Sequence, residues 1–453
     1  MQISILSGVY SDASPDFRTS YPHNLLPVPK EQGISAGYLK QADGIKEFAI
    51  GPGADRGGIN WRGACYRVMG SDLVRVNEDK TVDTIGSVGV GGYCAFDYSF
   101  THLGVASGGR LYLYDGTTLT QVTDPDLGGV KSFVWIDGYF LTTDGTNLVV
   151  TELNDPFSVN PLKYGSSEID PDEVLSVLEF GNEIYAVNRY SIEAFNNTGG
   201  SNFPFSRIDG AEVARGAVGT HAACIYDDKI AFVGGGKKET HGVHQYANGG
   251  TVKISSREID LALSEYDEAE LANIVVEARE NLGNSLLYIH LPDQCLVFDI
   301  AASRVMETLV WSSVSGGTNV KTAYPARGFV FVYGTWLAGH ESRVGEMDRT
   351  INTQFGELAR WEFGTTITYN EGRGAIFHAL DLVCLTQPND NSVIETSYSL
   401  DGVSFSQPKT SVARKKTPWR RLGNMEQTRL QRFRGTANVS IARLEASLEG
   451  LAV

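Results

Sequence analysis

Apolar and polar residues alternate along most of this chain in short runs, and glycine-containing turns separate the runs. The segment SGGRLYLYDGTTLTQV, Ser107 to Val122, is typical: two alternating strands flank an Asp-Gly turn. The hairpins recur. YRVMGSDLVRVNEDKTVDTIG, LGVASGGRLYLYDGTTLTQVT and YFLTTDGTNLVVTELNDPFSV align as strand, tight turn, strand, turn. Leu73, Leu111 and Leu148 take equivalent places 38 and 37 residues apart, and IYAVNRYSIEAFNNTGG puts Ile192 44 further on. A repeat of about 40 residues with several strands per unit is the signature of a β-propeller blade. Similar hairpins near 222–236, 284–300 and 326–339 bring the count from about Arg56 to Gly345 to six blades, with a seventh left open. One blade cannot bury both its faces, whereas a closed ring packs each against two neighbours and removes most exposed edges.

Three stretches depart from the pattern. The N-terminal part carries Pro15, Pro22, Pro27 and Pro29, which preclude a regular helix and disfavour a central strand, so an extended arm lying on another surface is expected. SEYDEAELA, with Ser264 three residues before Asp267 and acids in its first turn, predicts a short helix inserted between blades. After about Thr350, longer alternating strands without the period predict a separate β-sandwich. The fold expected is therefore all-β: an extended N-terminal arm over 1–50, a propeller of about six blades over 51–345 with a helical insertion near 260–280, and a C-terminal β-sandwich over 346–453.

Composition agrees, with 50 Gly, 10% aromatic residues and few Met favouring turns and strands over a helical bundle. A formal net charge of −16 argues against nonspecific nucleic-acid binding through the whole surface. The charge is uneven: Lys409 to Arg443 holds ten Lys or Arg against the single acid Glu426, about +9. Five scattered cysteines without a CxxC predict buried thiols in a protein made in a reducing cytoplasm. The start lacks the basic and apolar regions of a signal peptide, and no apolar run is long enough for a membrane helix, so neither export by a signal peptide nor membrane insertion is expected.

Several segments imitate chemical motifs. In GGGKK, 234–238, Ala231 and Lys238 stand where a phosphate loop needs Gly and Ser or Thr, so a turn is expected. His241 and His244, three apart in a Gly-containing loop without a nearby Cys or carboxylate, predict a solvated loop rather than a metal site. DPD at 124–126 and EIDPDE at 168–173 lack the oxygen array of a calcium loop and read as surface turns. YSLDGVSF, Tyr398 to Phe405, differs from the repeated Asp-box of sialidase propellers in its adjacent Asp and Gly and its single copy, and predicts a hairpin. No GxSxG occurs and no Cys has an obvious His partner, while 54 acids leave paired carboxylates for glycoside hydrolysis open. No catalytic, cofactor-binding or metal-binding residue is assigned, and a non-enzymatic role without cofactor is expected. Arg420, Arg421, Arg429, Arg432 and Arg434, interleaved with Trp419 and Phe433, form either a solvated sheet face or a surface that docks on acidic groups of another subunit.

The N-terminal segment NLLPVPKEQGISAGYLKQADGI, followed by RGACYRVMGSDLVRV, resembles the opening of the packaged-DNA stabilisation proteins, the tail hub or nozzle components of short-tailed bacteriophages. The likeness rests on Asn24, Leu25, Leu26, Pro29, Lys30, Gly37, Tyr38, Leu39 and Gly44, then Tyr66, Arg67, Val68, Gly70 and Leu73. It recurs in SLLYIHLPDQCLVFD, Ser285 to Asp299, and in SLDGVSFSQ and WRRLG. The resemblance implies a propeller-based ring, a hexamer, below the portal and its adaptor. That ring would close the channel over packaged DNA, conduct the DNA at ejection without sequence-specific binding, and help mount a tailspike or a tail needle or fibre. It implies a place in the virion tail after assembly in the host cytoplasm. Contacts between subunits or partners are then expected at Asn24, Leu25, Leu26, Pro29, Lys30 and Tyr38 and at Arg420, Arg421, Arg432 and Arg434. The competing expectation is a glycan-binding or glycan-cleaving propeller of a phage or bacterial surface, with a polar pocket at the blade centre.

Overall fold

The computed structural model describes residues 2–3, 5–6, 22–30, 35–281, 283–365, 368–370, 373–386, 388, 392–401 and 404–451. Pro15 and Gly402, singled out above, lie outside them. The chain divides into two compact units, a propeller unit of Glu47–Arg279 and Ala326–Met347, and a sandwich unit of Met1–Lys46, Glu280–Pro325 and Asp348–Val453.

Alternation becomes antiparallel meanders. Asp55–Trp61, Ala64–Met69, Asp72–Val76 and Val82–Ser87 make the first blade, each strand pairing with the next. Residues 95–121, 132–166 and 174–207 repeat it as blades 2 to 4, and 216–253 form a five-stranded blade 5. The sixth sheet contains Val275–Asn281, Asn284–His290, Cys295–Asp299 and Trp311–Val314, and the chain passes from one unit into the other within its first strand. Arg327–Val332, Thr335–His340 and Arg343–Asp348 begin the seventh, whose next strand is Gly44–Ile50 from the N-terminal side. Seven sheets of four or more strands thus follow one another among the described residues, the larger of the two counts the repeat allowed. The last was hard to count because one strand comes from nearly three hundred residues earlier.

The periodic positions are core positions. Leu73, Leu111, Leu148 and Ile192 all sit on the third strand of their blades and are fully buried. The propeller unit has a series of apolar cores between consecutive blades. Phe48, Met69, Val74, Val330 and Leu337 pack blade 7 against blade 1, and Trp61, Val68, Leu73, Leu103 and Val105 pack blade 1 against blade 2. Phe133, Phe140, Leu111 and Leu113 pack blade 2 against blade 3, and Leu141, Leu148, Val177 and Phe195 pack blade 3 against blade 4. Each blade is apolar on both faces, so it is stable only between neighbours.

The helical insertion is two short helices, α1 (Arg257–Leu263) and α2 (Glu268–Leu271), and the chain is already a strand again at Val275. Ser264 ends α1 as its C-cap. The N-cap of α2 is Asp267, whose side chain accepts from the Glu270 amide while the Glu270 carboxylate accepts from the Asp267 amide. The capping box was therefore present three residues beyond the expected start, because Asp267 and Glu270 satisfy two amides reciprocally and Ser264 does not.

In the sandwich unit, one sheet orders Leu25–Pro29, Gly37–Gln41, Ser440–Gly450, Ala375–Cys384 and Lys416–Arg420. Another orders Trp361–Gly364, Thr428–Gly435, Val393–Ser399 and Lys409–Val412. Leu25, Leu39, Phe377, Trp419 and Leu444 join Trp361, Phe363 and Phe433 in one core, with the Phe363 and Phe433 rings stacked at 5.0 Å. The N-terminal extended segment has a partner here: Pro27 is registered with Leu39 and Pro29 with Gly37. Leu25–Pro29 is the sheet's edge strand, where a residue without an N–H leaves no ladder bond unmade.

Candidate functional site

The inner strands of the propeller unit surround a cavity of about 320 Å³ lined by Tyr93, Asp97, Ser132, Glu179, His221 and Glu277, among others. Its polar groups hold blades to blades. Asp97 of blade 2 accepts the Trp135 amide of blade 3 at 2.5 Å as well as the Tyr98 amide at 2.8 Å. Ser132 of blade 3 bonds the Val177 amide of blade 4 at 3.3 Å. The Glu277 carboxylate accepts from the Gly328 and Phe329 amides of blade 7 at 2.9 and 2.8 Å. Arg56 donates to the Gly70, Gly89 and Gly92 carbonyls and the Ser107 hydroxyl, joining blade 1 to blade 2.

A buried ion pair within blade 1 holds an arginine that reaches blade 7. The Arg67 guanidinium meets both Asp55 oxygens, at 2.5 and 2.8 Å, and donates to the Gly328 carbonyl at 3.0 Å. Burial alone would lower the pKa of Arg67, but the Asp55 carboxylate overrides it and leaves the guanidinium more basic than usual.

Across the axis, His221 Nε2 donates to the Tyr93 carbonyl at 3.1 Å, and the two rings meet edge to face with centroids 5.0 Å apart. Tyr93 opens blade 2 and His221 opens blade 5, so this contact spans the middle of the unit. Burial lowers the His221 pKa to about 4, which keeps the imidazole neutral at physiological pH. Burial raises Asp97 to about 6. With amides already filling the Asp97 and Glu277 carboxylates, this centre is arranged to hold shape.

The imitating motifs resolve individually. His244 is not in a solvated loop: it lies in strand Gly242–Ala247, buried and stacked on Phe232 at 5.4 Å, and its pKa falls to about 4 through desolvation. The loop reading failed because the strand is buried on both faces, with Val243 on one and Tyr246 beside His244 on the other. Gly234 and Gly235 end strand Lys229–Gly235, followed by a turn closed by an Arg215–Glu239 pair. Burial pushes the Cys65 and Cys94 thiols up to about 11 and Cys384 to about 12, so none is a ready nucleophile at neutral pH.

The expected contact residues fall into two groups, both in the sandwich unit. On the N-terminal hairpin, Asn24 is buried, donates to the Arg360 carbonyl at 2.8 Å and accepts from the Ser315 amide at 3.0 Å. Leu25 and Leu26 are buried in their own chain, Pro29 is half-buried, and exposed Lys30 lies over the Tyr38 ring at 5.2 Å. In the basic segment, exposed Arg420 pairs with Asp381 at 2.6 Å, Arg434 pairs with Glu362 at 2.5 Å, and Arg432 stacks on Phe405 at 3.6 Å. Arg421 is exposed with φ of 56°. Arg429 is buried between the Phe377 and Tyr398 rings at 4.1 and 3.9 Å, so it belongs to the interior. Alternation along Thr428–Gly435 could not show which face carries the core.

Sequence reasoning missed an aromatic rim on the propeller unit. Phe100, 85% exposed, meets Trp135 with centroids 5.4 Å apart, and His102 meets Phe157 at 5.7 Å. Phe331, 52% exposed, meets Trp336 at 5.3 Å. The signal lay in aromatic residues beside the turn after the first strand of blades 2, 3 and 7.

Family models account for nearly the whole chain. That for bacteriophage P22 Gp10, β-propeller, matches residues 1–352, and that for P22 Gp10, β-sandwich, matches residues 360–449. The chain belongs to the P22 Gp10 family. It is 26% identical over 384 residues to the tail hub protein gp10 of Salmonella phage P22, covering 78% of each chain. This places it among the tail hub proteins of short-tailed phages, as the sequence resemblance implied, with a structural role in the tail. Among solved structures the chain matches the Neurospora crassa Pan2 WD40 domain, at 11% identity and TM-score 0.44, covering 70% of this chain and 99% of that one. PorZ of the type-IX secretion system of Porphyromonas gingivalis also matches, at 11% identity and TM-score 0.42, over 74% and 44%.

Proposed function

We propose that this tail hub protein forms a hexameric ring below the portal and adaptor, closes the channel over packaged DNA, and conducts the DNA outward at ejection. The observation that carries this reading, beside the family, is the occupied axis. Tyr93 meets His221 across it, so a duplex has no path through one subunit and its passage is enclosed by copies standing side by side. Stapled blades make each copy a stiff wall element, which suits a part that works by shape. DNA slides without sequence-specific contact past a propeller unit that holds the entire formal charge of −16, because acids and bases balance in the sandwich unit. Subunit contacts use the exposed cations Lys30, Arg420 and Arg421 and the flanking Tyr38, with a tailspike or a needle or fibre mounted on the assembled ring. The place of action is the virion tail, after assembly in the host cytoplasm, and no catalysis is involved.

The test is retention. Filled heads carrying portal and adaptor but lacking this protein should leave their DNA open to nuclease, and purified protein should restore protection as it adds a six-copy ring. Equal protection without it, or a monomer that cleaves host polysaccharide, would overturn the reading.

A further inference from the structure

Seven-sheet topology gathers particular turns on one rim. In each meander the turn after the first strand and the turn after the third lie at the same end. In blades 7, 2 and 3 these turns carry Phe331 and Trp336, Phe100 and His102, and Trp135 and Phe157, while blade 1 presents Arg62 over the buried Trp61. The groups are contiguous: Asn60 donates to the Phe331 carbonyl at 2.8 Å, and Arg62, stacked on Trp61 at 4.3 Å, donates to the Phe100 carbonyl at 2.7 Å. The same turns present Asp79, Asp115, Asp137 and Asp155, all exposed. Exposed aromatic faces beside carboxylates attract cations, through the ring quadrupole and through charge, and contiguous exposed apolar groups mark a protein contact.

The sandwich unit carries the complement. Residues 409–421 read KTSVARKKTPWRR, with six cations and no acid. They include Lys409–Val412, the last strand of one sheet, and Lys416–Arg420, the last strand of the other. Arg414 and Arg421 are exposed there, and Lys416 and Arg420 share Asp381.

We propose that the acidic aromatic rim of blades 7, 1, 2 and 3 receives the basic 409–421 segment of a second copy of this chain. The contact rests on the hub reading and deepens it, since a heterologous contact repeated around an axis closes a ring. Charge complementarity picks the occupant: one chain bears both the rim of a net-acidic unit and the densest run of cations. Pro156 and Pro161 in blade 3's outer strand remove donors from that edge, so the contact is made by side chains and not by an added strand.

Two variants test it in the full chain. The first carries Arg414→Glu with Arg421→Glu, the second Asp137→Lys with Asp155→Lys. Each alone opposes like charges and should assemble at least ten-fold more weakly in sedimentation velocity at physiological salt. An equimolar mixture should recover a ring of alternating copies, because both contacts are then complementary. Phe100→Ala with Phe331→Ala should weaken assembly ten-fold without a charge change. Melting temperatures equal to that of the natural protein establish folding. Should a reversed pair melt early, Arg414→Gln and Asp155→Asn replace it, each expected to weaken assembly several-fold. Variants that assemble like the natural protein, a mixture that stays dissociated while both partners are folded, or variants that lose only DNA or another tail protein would overturn the contact and leave the hub reading standing. A natural protein that never forms a ring would overturn both.

Discussion

The staple between blades 1 and 7 gives a measurable test of how the propeller unit is closed. Arg67→Met keeps the length and apolar stem of the side chain but removes the guanidinium from between Asp55 and the Gly328 carbonyl. The Asp55 side chain is 2% exposed, and it also accepts from the Gly57 amide at 3.0 Å. Removing one partner of such a pair leaves a buried charge uncompensated, which costs about 3–5 kcal/mol. The same figure follows from two charge-assisted bonds at roughly 1.5–3 kcal/mol each, so the two routes agree in size. Adding Asp55→Ala removes the stranded charge, and the double variant should recover about 1–2 kcal/mol relative to Arg67→Met alone. The assay is urea unfolding of the full chain, following the transition that reports Trp61, Trp135 and Trp336 of the propeller unit. An Arg67→Met protein within about 0.5 kcal/mol of the natural one, the range of an ordinary surface change, would refute the staple. Strict additivity of the two substitutions would refute the coupling.

Asp97→Asn retains an acceptor for the Trp135 amide. The native pKa of Asp97, about 6, lies above its ordinary value, so the fold disfavours its charge and stability falls as pH rises from about 4 to 6. Thermal melting should therefore show the variant gaining on the natural protein above pH 6, by up to about 2–3 kcal/mol, and losing that advantage near pH 4. His23 behaves in the opposite sense. Its ring bridges the Ser313 and Ser315 hydroxyls at 2.7 and 2.9 Å, and burial lowers its pKa to about 4, so the unfolded chain takes up the proton first and stability falls as pH drops from 6.5 to 4. His23→Gln should flatten that part of the melting profile. Leu25→Ala, at a fully buried edge-strand position, should cost about 2–5 kcal/mol in denaturant unfolding of the sandwich unit. Arg420→Ala with Arg421→Ala should leave melting unchanged and weaken ring formation in sedimentation at physiological salt. Unaltered assembly would argue against a docking role for that pair.

The repeated hairpins, the spacing of Leu73, Leu111, Leu148 and Ile192, and the loss of that period after about Thr350 made the blades and the sandwich strands legible, because period-two alternation and turn chemistry act between near neighbours in the chain. Local signals also located the helical insertion, although the strongest cap lay at Asp267. The partners of those elements were decided in three dimensions. Leu25–Pro29 became an edge strand because Gly37–Gln41 and a core containing Trp361 were there to receive it. Arg429 went inside between two rings while Arg420, nine residues away on another strand, stayed out. Tyr93 met His221, and Arg67 met the Gly328 carbonyl, only once blades distant in sequence were brought together. Long-range pairing depends on which surfaces the closed sheets leave adjacent, and a local pattern of apolar and polar residues does not contain that information.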